Sequence, residues 1–173
     1  LGVEPGMQVL DIGCGWGEAS RRLHHNCDAD KTVGLALAES QVARARADAD
    51  DAGLEYHLQD YREHARDNPE SYDRIVSIGM FEHVGRAQYS EFFRAVYDLL
   101  KPGGRALIHT IVSLGDVGAS NEWVDKYIFP GGQIPRASQT IQAAQSQGLC
   151  LYYPPFRHES FNYAKTLRIW REN

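Results

Sequence analysis

Three side chains that can exchange protons follow apolar, strand-like segments of this chain. Glu82 and His83 follow "YDRIVSIG" (72–79) after two further residues, and His109 lies near the end of "RALIHTIV" (105–112). Parallel strands end at the same edge of a sheet, so we expect these groups to converge. Together they are typical of an acid–base site. Taken singly, each has a structural alternative: a helix-start acid for Glu82, a core histidine for His109, and a purely structural role for His83.

A glycine-rich loop, "DIGCGWG" (11–17), joins the first predicted strand to the first predicted helix. Its glycines stand at alternate positions, Gly13, Gly15 and Gly17. A dinucleotide fingerprint would place glycine at position 18, which is Glu18. The loop therefore suits a cofactor without pyrophosphate, and Asp11 favours a cationic one such as S-adenosylmethionine (SAM). The alternative is a plain strand–helix turn, but the position in the first strand–turn–helix unit favours a cofactor.

Two further acidic residues are weaker candidates for contact with a cofactor. Asp60 ends the third predicted strand and is equally typical of an adenine contact and of a helix cap. The usual position of a ribose-binding acid holds Ala36 or Leu37, and Glu39 follows late. We expect Glu39 to begin a helix rather than to bind ribose.

Strand and helix patterns alternate along the chain, which predicts an α/β, Rossmann-like fold with a mostly parallel sheet and helices on both faces. The predicted strands are 7–13, 31–37, 55–60, 72–79, 105–112 and 149–153. The predicted helices are 18–26, 39–52 closed by Gly53, 88–100 and 138–147. The fifth strand is apolar enough to be buried on both faces. An irregular insertion covers 115–135, with a helical stretch at 121–129, and 160–171 is ambiguous.

Composition narrows the function classes. With 173 residues, 43% of them hydrophobic and 24% charged, the chain predicts one globular domain. The net charge of −5 argues against general nucleic-acid binding and limits any membrane contact to a local patch. Cys14, Cys27 and Cys150 form no zinc-like or disulfide-like pattern, which suits the cytoplasm. We predict no metal site. No apolar run approaches the roughly 20 residues that span a bilayer.

Several blocks together resemble the cyclopropane-fatty-acyl-phospholipid synthase family, which includes the mycolic acid cyclopropane synthases. These blocks are "LDIGCGWG", "SIGMFEHVG", "LIHTI", "YIFPGG" with a following "PR", and "YAKTLRIW". They occur in the family's order between Glu4 and Trp170, and "FEHVG", "HTI" and "IFPGG" discriminate best. The resemblance implies the class I SAM-dependent methyltransferase fold.

The resemblance also implies a reaction and its residues. SAM donates a methyl group to a cis double bond of an unsaturated phospholipid acyl chain, and bound bicarbonate removes a proton so that a cyclopropane ring closes. The implied bicarbonate ligands are Glu82, His109, the backbone of Ile111, and Tyr163. The implied SAM contacts are Asp11, Gly13, Cys14, Gly15, Gly17, Leu37, Gln41, Asp60, Tyr61 and Arg62. The protein would meet the inner face of the membrane peripherally; a homodimer is left open.

Some features depart from the family or leave alternatives. Ala36 and Ala38 stand where the family has Thr and Ser. The family also begins with a helical segment that carries a tyrosine–serine SAM contact and a bicarbonate-binding cysteine. This sequence has no counterpart of that segment, and we expect it to be missing from the chain. Cys14 is not that cysteine. Aromatic and apolar residues predict an acyl tunnel, a lipid interface or a satellite core: Trp123, Tyr127, Ile128, Phe129, Tyr152, Tyr153 and Phe156.

Three rival functions remain open at this point. The first is SAM-dependent N-methylation of a small amine, since plant-type alkaloid methyltransferases resemble this family. The second is methylation of a lipid carbon without ring closure. The third is a non-catalytic SAM-binding or partner-binding remnant.

Overall fold

Five parallel strands form one sheet in the order β3-β2-β1-β4-β5. The strands are β1 (Gln8–Ile12), β2 (Lys31–Ala36), β3 (Leu54–Leu58), β4 (Tyr72–Ile78) and β5 (Leu100–His109). The structure, a computed structural model, describes residues 1–113, 126, 134–152, 154–158 and 160–172. Strand order reverses between β1 and β4, and ligands of such sheets bind where the strands end at that reversal. The predicted Rossmann-like fold class is confirmed.

Helices pack on both faces of the sheet. Those that pack on the sheet or its cores are α1 (Glu18–Cys27), α2 (Glu39–Ala47), α3 (Tyr61–Asp67) and α4 (Tyr89–Leu99). Helix α5 (Ala137–Ser146) packs on α4, and α6 (Ser160–Glu172) is largely exposed. Along β2, Val33 and Leu35 join the main core with α3 and α4, whereas Ala36 joins a smaller core with α2. Side chains of a strand alternate between faces, so each face has its own core. Within the described part of the chain, no helix combines the length and apolarity needed to cross a membrane.

The predicted end of the second helix is wrong. Helix α2 stops at Ala47 rather than Ala52, and Gly53 does not cap it. Asp48, Asp50 and Asp51 follow, and negative charge is unfavourable at the negative end of a helix dipole. The Asp51 carboxylate instead accepts the Gly53 N–H at 2.7 Å in a turn that leads into β3.

Strand β5 also differs from its prediction. It begins at Leu100, before the Pro-Gly-Gly sequence, because Leu100 pairs with Tyr72 ahead of an irregularity in the ladder. Most of its side chains are exposed, Leu107 by 41%, so burial on both faces was wrong for the residues described. In the sheet described, β5 is an edge strand.

Several other predictions are settled, or fall outside the described residues. Residues 149–152 form no strand, and 160–171 is helical. The short helix α3 was missed, whereas Glu39 begins α2 as expected. The helical stretch at 121–129 lies outside the described residues apart from residue 126, which is helical.

Candidate active site

The glycine loop after β1 needs its glycines because their backbone is left-handed. Gly13, Gly15 and Gly17 have φ of +83°, +54° and +82°, a region that costs other L-residues about 1–2 kcal/mol. The N–H groups of Gly13 and Cys14 both donate to the Leu35 carbonyl at 2.9 Å. The loop, which follows β1 at the topological switch point, is therefore fixed to the end of β2.

Asp11 lies beneath this loop rather than on its surface. Its side chain is 1% exposed, and its Oδ2 accepts a 2.7 Å hydrogen bond from the Ser20 hydroxyl of α1. Burial raises the pKa of Asp11 to about 6, against the opposing effect of the hydrogen bonds from Ser20. Asp11 thus presents a negative charge that a nearby cation would stabilise.

Cys14 contributes backbone and packing to the loop. It is buried in the smaller core, and burial together with the Asp11 charge raises the pKa of its thiol to about 12. A thiol with that pKa stays protonated at neutral pH, which makes it a poor nucleophile.

Four large apolar side chains are exposed around the carboxyl ends of β1 to β4. We call them the apolar rim; they are Trp16, Leu37, Leu58 and Ile78, exposed by 55%, 72%, 49% and 47%. Leu37 was predicted as a cofactor contact, and Gln41, predicted with it, is half-buried in the first turn of α2. Exposed apolar side chains of this kind offer contact surface for an aromatic ligand.

Asp60 is a helix cap, one of the two interpretations its position allowed. Its Oδ1 accepts the Arg62 backbone N–H at 2.8 Å at the start of α3. The Arg62 guanidinium also bonds both carboxylate oxygens, at 2.8 and 2.7 Å, and holds the pKa of Asp60 below its usual value. Tyr61 packs edge-on against Phe92, 5.3 Å between centroids. In the structure Asp60 and Arg62 therefore form an ion pair with each other. Their contact with a cofactor stays a prediction.

Glu82 is a buried carboxylate with one oxygen bonded and one not. It lies in the 3₁₀ turn Phe81–His83, is 6% exposed, and its Oε1 accepts the Ile111 backbone N–H at 3.0 Å. Its Oε2 is buried with no hydrogen-bond partner among the described residues. Phe81, 0% exposed, anchors the turn against the aromatic rings of α4. A buried polar atom without a partner is costly, which points to a ligand at Oε2.

His109 lies at the same edge of the sheet as Glu82. It pairs with Ile78 in the ladder, and its carbonyl accepts the Gly79 N–H at 3.0 Å. Its exposed ring lies 5.6 Å from the ring of His158. Parallel pairing of β4 and β5 thus brings Glu82 into contact with Ile111, which follows His109 by two residues in the chain. His83 is exposed.

Two residues at this site were not predicted. Met80 packs against the glycine loop so closely that a Cβ at Gly13 would lie 2.6 Å from its Cγ. Met80 directly precedes Phe81, so it links the glycine loop to the Glu82 turn. Its position between the fourth strand and Glu82 in "SIGMFEHVG" was the sequence feature that could have indicated this role. His158 is distant from His109 in sequence, and nothing in the local pattern indicated that the rings meet.

A groove of about 2410 Å³ runs along β5, α5 and residues 148–152 and 154–158. Its lining is mainly apolar and includes Ile111, Val112, Ile141, Leu149 and Phe156, with His109 and His158 also present. Of the predicted lipid-contact residues, Tyr152 and Phe156 line it and are 62% and 83% exposed. The others, Trp123, Tyr127, Ile128, Phe129 and Tyr153, lie outside the described residues, as does the side chain of Tyr163 in α6. Across the described residues, no cluster of three or more His, Cys, Asp or Glu could hold a metal ion.

A parallel sheet with a glycine loop at its switch point, and a buried acid at the neighbouring strand end, is the arrangement of a Rossmann-like fold. The chain belongs to the mycolic acid cyclopropane synthetase family, whose model matches residues 1–173. It is 38% identical over 172 residues to cyclopropane-fatty-acyl-phospholipid synthase of Escherichia coli K12, covering 99% of this chain and 43% of that protein. It is 35% identical over 187 residues to the cyclopropane mycolic acid synthase MmaA2 of Mycobacterium tuberculosis, covering 99% of this chain and 63% of that protein.

Solved structures agree with this assignment. The M. tuberculosis MmaA2 structure superposes with a TM-score of 0.84 at 33% identity, covering 99% of this chain and 64% of that one. The mycolic acid cyclopropane synthase CmaA1 complexed with SAH and CTAB gives 0.82 at 33% identity, covering 98% and 63%. A Haemonchus contortus phosphoethanolamine N-methyltransferase, at 24% identity and a TM-score of 0.73, covers 84% of this chain and 34% of that one and shares the fold alone. The chain spans less than two thirds of the length of each of these proteins.

Proposed function

We propose that this protein transfers a methylene group from SAM to a cis double bond in an unsaturated phospholipid acyl chain, closing a cyclopropane ring with bicarbonate as the base. The observation that carries the proposal is the Glu82 carboxylate, with Oε1 fixed by the Ile111 N–H and Oε2 buried without a described partner. Membership of the cyclopropane synthetase family and 38% identity to a cyclopropane-fatty-acyl-phospholipid synthase support the lipid substrate.

The glycine loop and the apolar rim fit SAM. When bound, SAM supplies a methyl group on a positively charged sulfonium. The left-handed glycines let a ligand approach the backbone, and Leu37 and Ile78 of the rim offer apolar surface for the adenine ring. Asp11, buried beneath the loop, favours a cation above it. Gln41 borders the same edge; Cys14, Asp60, Tyr61 and Arg62 complete the proposed binding region.

The Glu82 carboxylate fits bicarbonate. When bound, bicarbonate supplies an oxygen base that removes a proton after methyl transfer. Glu82 is acceptor-only when ionised, so its free Oε2 would accept the O–H of the anion. The Ile111 N–H, predicted to bind the anion, donates to Glu82 Oε1 instead and so orients the carboxylate. His109 and Tyr163 are the proposed remaining donors.

The groove along β5 is the proposed acyl site. An alkene gives up no proton before it attacks the methyl group, so a base is needed only once positive charge has formed on carbon. That charge survives only where water is excluded, which suits apolar lining residues such as Ile111 and Leu149. Exposed Tyr152 and Phe156 would meet the lipid surface. We propose that the protein works peripherally on the inner face of the membrane.

Mass spectrometry of the lipid tests this function. The complete gene product, SAM and vesicles of a cis-unsaturated phospholipid should yield acyl chains that gain one CH₂ and lose the double bond. Gain of CH₂ with the double bond retained would show carbon methylation without ring closure. Methylation of added phosphoethanolamine, with the acyl chains unchanged, would instead establish the N-methyltransferase.

SAM affinity should depend on pH through Asp11. The ionised carboxylate attracts the cation, and the pKa of Asp11 in the ligand-free protein is about 6. The dissociation constant for SAM should therefore rise as pH falls from about 7.5 through 6 to 5. Isothermal titration calorimetry measures this directly. Asp11→Asn should bind more weakly at pH 7.5 and lose this dependence, whereas Ser20→Ala, by removing a hydrogen bond that lowers the pKa, should move the transition to higher pH. A flat wild-type profile would contradict the role of Asp11.

A further inference from the structure

The smaller core of the sheet contains a tyrosine that crosses a neighbouring strand to reach the glycine loop. Tyr56 of β3 is 3% exposed and pairs with Gly34 of β2, which in turn pairs with Asp11 of β1. A Cβ at Gly34 would lie 2.6 Å from Tyr56 Cδ1 and 2.9 Å from Cys14 Sγ. Glycine at position 34 is thus what lets the ring lie across β2 and under the loop.

The hydroxyl of Tyr56 ends at the third glycine of the loop. It donates to the Gly17 carbonyl, 3.2 Å away, and that carbonyl also accepts the Arg21 N–H at 2.9 Å in the first turn of α1. A Cβ at Gly17 would lie 2.8 Å from the same hydroxyl. Burial raises the pKa of Tyr56 above its ordinary value, so the hydroxyl keeps its proton and remains a donor at neutral pH.

We propose that Tyr56 is a positioning residue for the cofactor: it fixes Gly17 and the start of α1, and thereby the shape of the loop that holds SAM. The inference rests on the proposed SAM site. The ring lies below the loop within the smaller core, so it acts through Gly17 and not by contact with the reacting atoms. Its removal should weaken SAM binding and leave the chemical step unchanged.

Tyr56→Phe tests this because it removes one hydroxyl and keeps the ring. We expect the dissociation constant and KM for SAM to rise about five- to tenfold, the usual cost of one buried hydrogen bond, with kcat at saturating SAM unchanged. Amide exchange of the peptide spanning 13–21 should speed up, a readout that needs no activity. Tyr72→Phe is the matched control: Tyr72 is 4% exposed, and its hydroxyl bonds His64 at 2.6 Å, away from the loop.

The outcomes separate this inference from the proposed function. If the wild-type protein binds no SAM, the proposed function fails. If the wild type binds SAM and Tyr56→Phe matches Tyr72→Phe in SAM affinity and in loop exchange, the inference is overturned and the proposed function stands. A selective loss of affinity in Tyr56→Phe with kcat preserved supports it, and an equal fall in kcat would contradict a positioning role.

Discussion

Glu82→Gln is expected to lower kcat by about 10²- to 10⁴-fold, the range that general acid–base catalysis contributes, with SAM affinity unchanged. The amide oxygen can still accept the Ile111 N–H that now reaches Oε1, so the turn should keep its shape. At the second position an N–H₂ donor replaces the buried acceptor Oε2. The O–H of bicarbonate would then face a donor, and the base would lose its orientation.

Glu63→Gln is the control for this substitution. Glu63 is an exposed acid in the first turn of α3, so the same change of charge and shape should leave kcat near the wild-type value. Steady-state kinetics with a phospholipid substrate measure kcat, and calorimetry measures SAM affinity. Full activity of Glu82→Gln would contradict the proposed role of Glu82 in orienting the bicarbonate base. Loss of SAM binding instead would assign Glu82 to the cofactor.

Gly13→Ala is expected to raise the dissociation constant for SAM by about 30- to 100-fold, corresponding to roughly 2–3 kcal/mol of backbone strain and displaced contacts. The residue has φ of +83°, and its new Cβ would lie 2.6 and 2.7 Å from two carbon atoms of Met80. Rotation of the Met80 side chain relieves the contact with Cγ, but Cβ is fixed to the backbone, so the loop and the Glu82 turn must also move apart. Calorimetric titration with SAM measures the loss, and thermal unfolding should also show a lower Tm.

Gly103→Ala separates strain from cofactor binding. Gly103 has φ of +78°, but a Cβ there would meet nothing within 4 Å, and it lies between the paired residues Leu100 and Arg105, at the opposite end of the strands. It should therefore lose stability and keep its SAM affinity. Equal SAM affinities for Gly13→Ala and Gly103→Ala would show that the loop does not hold the cofactor.

The sequence was sufficient for the parts of the fold that depend on local pattern. Alternating strand and helix patterns predicted the parallel sheet, and parallel strands must end together, so the meeting of Glu82 with the Ile111 segment followed. The spacing of Gly13, Gly15 and Gly17 predicted a special loop, and all three have positive φ. These features follow from residue type and order along the chain.

Features that depend on partners distant in sequence were not predictable. Gly53 lies against the Asp30 carbonyl instead of capping α2, and the exposure of β5 depends on what lies beside it in the sheet. The Ile111 N–H was assigned to an anion, since only the folded chain shows that Glu82 takes it. Tyr56 gave no signal because its role requires Gly34 on the neighbouring strand.

SAM carrying a CD₃ methyl group tests the central claim most directly, because it follows both the transferred carbon and the proton that the base removes. Mass spectrometry of the phospholipid acyl chain is the measurement. If the wild-type protein closes a cyclopropane ring, the product keeps two of the three deuterons, since the base must take one from the transferred group. A lipid that keeps all three deuterons, or label found only on an amine, would contradict ring closure at the Glu82 site.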